Sequence, residues 1–204
     1  MQLSQVINLA THPIHDKRYE QACKHQFDNK GVLVLKQFLT PIARAAIIEE
    51  GKHKQTAAFY TNSGHNVYLT QKDPAFDNEH PRNQWVQSSK GCITDDQIAL
   101  DSPLRVLYDA AELRSFLASI LGEGKLYPYA DPLSSINLHY ASEGQELGWH
   151  FDNSSFAITL LVQSPKAGGQ FEYVAKLREA SRGDMNYPGV GKVLKGETKA
   201  QALA

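Results

Sequence analysis

The chain has 204 residues, 42% hydrophobic and 21% charged, which suits one globular domain with a buried core. Its 21 basic and 22 acidic residues leave a formal charge of −1, so no basic field points to nucleic acid or to an anionic membrane surface, and a small-molecule partner is favoured. Cys23 and Cys92 form no Cys-x-x-Cys spacing, which argues against a thiolate zinc site or a disulfide framework and for a reducing cytoplasm.

The N-terminus lacks the basic start and apolar run of a signal peptide, and no stretch approaches the roughly 20 apolar residues of a membrane span, so a soluble protein is expected. Residues 16–31 read as a helix stopped by Asn29-Lys30-Gly31. "GVLVLKQFL" then predicts a buried strand, being short, apolar and branched. Thr40-Pro41 reads as an N-cap and first turn, opening a helix through Ile42, Ala46 and Ile47 to about His53. "HNVYLTQ" predicts one strand in the weaker stretch that follows, and the polar run with Asp73-Pro74, His80-Pro81 and Trp85 reads as a long loop. Ser102-Pro103 caps the clearest helix, with Val106, Ala110, Leu113, Leu117 and Ile120 as its apolar stripe and Gly122 as its stop.

After Gly124 the period becomes two. "SSINLHY" puts Ile136, Leu138 and Tyr140 on one face and Asn137 and His139 on the other, and "GWHFD", "FAITLLVQ" and "GQFEYV" follow as strand-like runs. The expected organisation is a single domain, 1–204, with a mainly helical and looped part over 1–124 and sheet over 125–204. Helices followed by short antiparallel strands give an α+β class with a jelly-roll sheet backed by N-terminal helices.

His150 and Asp152 are two apart on a predicted strand, so both side chains project from one face. An imidazole and a carboxylate in this arrangement, with a second imidazole from elsewhere, make the facial triad that leaves three positions open on a non-haem iron. The spacing alone says little, since 8 histidines and 11 aspartates supply about 0.4 such pairs by chance.

The context is more specific. The run "LYPYADPLSSINLHYASEGQELGWHFDNSSFAITLLVQSPKAGGQFEYV", with "NVYLTQKDPAF" and "HPR" upstream, resembles the iron(II)- and 2-oxoglutarate-dependent oxygenases. Within them it is most similar to the branch of free-amino-acid halogenases and related hydroxylases, from about Val32 onward. The resemblance implies a double-stranded β-helix, or jelly-roll, core. It also implies His150 and Asp152 as iron ligands, Fe(II) as the metal, 2-oxoglutarate and O2 as co-substrates, and a small molecule such as a free amino acid as substrate. Tyr140 and Asn137, on the preceding strand, fall where relatives place groups that bind 2-oxoglutarate. Asn153 reads as a turn residue.

Members complete the site with a histidine near the start of a late strand and an arginine about ten residues beyond, which pairs with the distal carboxylate of 2-oxoglutarate. No histidine follows His150, and the chain closes on "YPGVGKVLKGETKAQALA", so the implied jelly roll is incomplete at its C-terminal end. Lys166, Lys176, Arg178 and Arg182 read as solvated surface charges. His139 points away from Tyr140, His12 and His15 sit near the terminus, and His65 and His80 sit in loop-like regions.

Two readings of function stand. One is an oxygenase that hydroxylates an aliphatic C–H bond, hydroxylation being preferred because halogenating relatives carry a small residue where this chain has Asp152. The other is a truncated or degenerate oxygenase fold that binds a ligand without turnover. An open half-roll would expose strand edges and invite dimerisation. A hydrolytic metal site is weaker, because no further Glu or His constellation accompanies the pair.

Overall fold

A computed structural model describes residues 1–131 and 133–203. Pro132, inside the "DPLSSIN" stretch, and Ala204 lie outside the described residues. The elements in chain order are α1 (Leu3–Val6), α2 (Lys17–Lys30), α3 (Pro41–Lys54), β1 (Phe59–Asn66), β2 (Trp85–Ile93), α4 (Pro103–Asp109), α5 (Ala111–Leu121), β3 (Leu138–Tyr140), β4 (Phe171–Tyr173), α6 (Tyr187–Leu194) and β5 (Gln201–Leu203). Sheet order is β1-β2-β3, with a separate antiparallel pair of β4 and β5 that sets Phe171 against Leu203. The chain forms two compact units, Met1–Phe59 with Cys92–Tyr140 and Tyr60–Gly91 with Ala141–Ala204.

The first unit holds most of the helix. Asp16 caps α2 by accepting from the Arg18 and Tyr19 amides, and Gly31 closes it at φ 71°, a left-handed conformation that glycine adopts without Cβ strain. Thr40 caps α3 through Ala43 N, with Pro41 in the first turn. The helix expected from Ser102 to Gly122 is two helices. Ala110 leaves the helical region at φ −66°, ψ 110°, and the Tyr108 carbonyl, which a continuous helix would bond to residue 112, instead accepts from Arg114 Nη1 at 2.6 Å. Pro103, Leu107, Ala110, Phe116, Ala118 and Ile120 are buried, so Ala110 and Ile120 of the expected stripe face the core while Val106, Leu113 and Leu117 are only half-buried. β3 keeps its predicted alternation, with Ile136 buried and Asn137 and His139 exposed. Ile93, Ile98 and Ile136 form a small core onto which Leu138 and Tyr140 pack.

The run 31–39 is not a strand. Gln37 turns the chain at φ 59°, and only Leu39 bridges, to Ile7.

In the second unit β1 ends at Asn66, where "VYLT" begins, and β2 occupies the stretch expected to be loop. Asn66 accounts for the stop: its side-chain oxygen accepts from the Tyr68 and Thr70 amides, a local turn that competes with strand pairing. Val67, Tyr68 and Val190 form the core, with Trp149, Phe151, Leu177, Met185, Tyr187 and Leu194 packed around it. Neither "GWHFD" nor "FAITLLVQ" forms a strand, and of the three late runs only part of "GQFEYV" does, as β4. The described residues therefore give a mixed helix-and-sheet fold with small sheets. A run of residues becomes a strand only where its N–H and C=O groups are paired in a ladder, which apolar composition alone does not supply.

Candidate metal site

His150 and Asp152 lie in the second unit, in a segment joined to the core by the backbone bond from Phe151 N–H to the Val67 carbonyl at 2.8 Å. Phe151 turns inward against Tyr68, ring centroids 5.4 Å apart, while its two neighbours face solvent with side chains 33% and 53% exposed. The apolar residue between them is the anchor, and it leaves both polar groups on the open side.

His150 Nδ1 is 2.8 Å from the Gly148 carbonyl. A carbonyl only accepts, so in the neutral ring Nδ1 carries the proton and Nε2 keeps its lone pair. That nitrogen stands 3.7 Å from Asp152 Oδ1. Two ligands about 2.1 Å from one ion can be at most ~4 Å apart, so the pair fits a shared divalent metal. A backbone carbonyl on the far ring nitrogen is also the usual partner of a metal-binding histidine. Two donors are all that come together: among the described residues no group of three or more His, Cys, Asp or Glu side chains is placed to hold a metal ion.

Gly148 is required where it stands. A Cβ there would lie 2.6 Å from the Gln87 carbonyl and 2.9 Å from Val86 Cγ2, so no side chain fits between this segment and β2.

The other sequence candidates fall elsewhere. Tyr140 and Asn137 belong to the first unit, where Tyr140 donates to the Gly51 carbonyl at 2.7 Å and Asn137 donates to the Ser134 carbonyl at 3.0 Å. His12 is buried between Tyr19 Oη and the Lys36 carbonyl, His15 is exposed, and His80 stacks on Phe76 with centroids 4.1 Å apart. Lys166 is exposed, and Arg182 makes an exposed pair with Glu179.

Two residues near the pair have places that their sequence positions did not suggest. Arg178, expected to be solvated, lies 4.0 Å above the Phe151 ring and donates to the Asp152 carbonyl at 3.3 Å. His65, on β1, meets the His150 ring edge-on, centroids 5.9 Å apart at 87°. Neither His65 nitrogen is open as a third donor, since Nδ1 is 3.0 Å from the Asn66 carbonyl and Nε2 is 2.7 Å from Ser88 Oγ. Nothing in the spacing of these residues announces the contacts.

His65 also lines an open surface depression of about 620 Å3 with Leu69, Lys72 and Trp85. Leu69 is held at φ 53°, a strained conformation for a branched residue. The Tyr68 hydroxyl, which donates to the Met185 carbonyl at 2.9 Å, has its pKa pushed up to about 12, chiefly by burial.

The family model for halogenase D matches residues 15–198. The chain belongs to the halogenase D family. No curated protein matches it. Membership makes an enzymatic, oxidoreductase-type role the frame for the pair, and the His150–Asp152 segment lies within the matched residues. No helix among the described residues of this halogenase D family chain is long and apolar enough to cross a membrane.

Proposed function

We propose that this halogenase D family member is an iron(II)- and 2-oxoglutarate-dependent oxygenase that hydroxylates an aliphatic C–H bond of a small molecule, a free amino acid first among the choices. The observation that carries the reading is the convergence of His150 Nε2 and Asp152 Oδ1 to 3.7 Å with the histidine held in the ligating tautomer. Bound iron with 2-oxoglutarate would supply activation of dioxygen. The chain's own part is to present one neutral and one anionic donor and to orient both. Phe151 does so by anchoring the segment, Gly148 by fixing the imidazole, and Arg178 by gripping the Asp152 carbonyl. The depression beside His65 offers the substrate an aromatic wall, Trp85, and a cation, Lys72.

Although the family carries the name halogenase, Asp152 favours hydroxylation here. A carboxylate occupies the position that a halide would need, and its charge repels the anion. Tyr140 and Asn137 are assigned to 2-oxoglutarate by the resemblance alone.

The test is anaerobic iron(II) titration in the presence of 2-oxoglutarate, following the visible charge-transfer band in the wild type, His150→Ala and Asp152→Ala. A weak band that grows in only at high iron(II), and that each substitution removes, is expected. A band indifferent to both overturns the proposal. The second reading, a non-catalytic binding protein, draws on the absence of a third donor among the described residues, and predicts ligand binding with no band at all.

A further inference from the structure

Ser88, on β2, sits between His65 and the backbone that carries His150, and the hydrogen bonds around it admit one direction each. His65 Nδ1 faces the Asn66 carbonyl, so it holds the proton of the neutral ring, and Nε2 is the acceptor. The Ser88 hydroxyl, 2.7 Å away, gives its proton to that nitrogen. Ser88 Oγ is then free to accept, and it takes the Gly148 N–H at 2.9 Å. Gly148 in turn accepts the Nδ1 proton of His150 on its own carbonyl. One residue after Ser88 and two before Gly148, the segment is tied to β2 twice more, by Ser89 N–H to the Glu146 carbonyl at 2.7 Å and by Glu146 N–H to Ser89 Oγ at 3.3 Å.

We infer that Ser88 and His65 are positioning residues for His150: they hold Gly148 in place and thereby fix the tautomer and ring orientation that leave Nε2 facing Asp152. The physical reason is that Gly148 is linked to both ends of the relay. Its amide is fixed by Ser88 and its carbonyl fixes the imidazole, while a glycine left unheld has more backbone freedom than any other residue. His65 adds a second restraint, because its ring stands edge-on to His150 and limits rotation of that ring. The meaning of this relay for catalysis rests on the proposed metal-dependent reaction, while the relay itself does not.

The experiment is carried out on the full chain without metal. Long-range proton–nitrogen NMR of nitrogen-15-labelled histidine reads the tautomer of each ring. A single Nδ1–H tautomer at His150 is expected in the wild type and in Ser88→Thr, which keeps the hydroxyl, and a mixture with Nε2–H in Ser88→Ala. An unchanged His150 tautomer in folded Ser88→Ala overturns the inference, as does an Nε2–H ring in the wild type. Should Ser88→Ala fail to fold, His65→Phe carries the same test, since it removes the acceptor that aligns the Ser88 hydroxyl. Cobalt(II) titration forms the second arm, where loss of a histidine's supporting partner lowers metal affinity by roughly 10–100-fold, and Ser88→Thr restores it. A tautomer that responds to Ser88→Ala in a protein whose wild type binds no cobalt upholds the positioning and overturns the proposed metal-dependent function instead.

Discussion

His150 Nε2 and Asp152 Oδ1 stand 3.7 Å apart on the solvent side of a segment whose middle residue, Phe151, is fixed in the core. The separation is too long for a direct hydrogen bond and short enough for a shared ion, so both groups keep donor capacity. Removing either one leaves the other in place, which makes the pair separable by mutation.

Asp152→Gly removes a charged ligand without adding bulk. Hydroxylation should fall on the order of 100-fold or more, as when a metal site loses a ligand or its support, and a position for chloride should open. Succinate release together with product mass, with and without chloride, measures both effects. Unchanged hydroxylation would show that Asp152 is not a ligand.

The described residues bring only two donors together, so iron should bind weakly and 2-oxoglutarate turnover by residues 1–204 alone should be slow. Each missing protein ligand leaves a position to water and removes part of the chelate advantage. Sustained, stoichiometric succinate formation by this chain would mean that a further ligand is recruited, from within it or from a second subunit.

Gly148→Ala forces a methyl group to 2.6 Å from the Gln87 carbonyl. Backbone cannot yield as a flexible side chain can, so the segment must move off β2 at a cost of about 1–3 kcal/mol. Urea denaturation should show the loss, and the His150 tautomer should lose its single form.

Arg178→Lys keeps the charge but not the planar face that lies 4.0 Å over Phe151. We expect a loss of about 0.5–1 kcal/mol in stability, with Arg178→Ala little worse than the lysine variant, because the stacking carries the effect. Denaturation midpoints of the two variants side by side decide it; a fully wild-type midpoint for Arg178→Lys would make the contact a charge effect only.

In the first unit Glu20 accepts from Ser119 Oγ at 2.6 Å, and this bond, ahead of the one from Lys17, lowers the Glu20 pKa. A depressed carboxylate contributes stability above its unfolded pKa and loses it as the pH falls through the folded value. Ser119→Ala should therefore cost about 1 kcal/mol near neutrality, and the gap between variant and wild type should close in acid. Thermal midpoints at pH 7 and pH 3 provide the comparison.

The sequence by itself determined the elements whose signals are local. Asp16 and Gly31 bound α2, Thr40-Pro41 opens α3, and the alternation at Ile136, Leu138 and Tyr140 marks β3, because caps and period-two burial depend on residues a few positions away. The halogenase resemblance was legible in the same manner, as a long quoted run, and the family match over residues 15–198 agrees with it. Tertiary structure decided the rest. Whether "GWHFD" and "FAITLLVQ" become strands depends on partners distant in sequence, and they do not. The strand at Trp85–Ile93 was hidden by its polar residues, and Ser88 and Ser89 take their meaning only from the 146–148 backbone laid beside them. Arg178 came to Phe151, and His65 to His150, by folding across 27 and 85 residues of chain, distances over which no periodicity carries information.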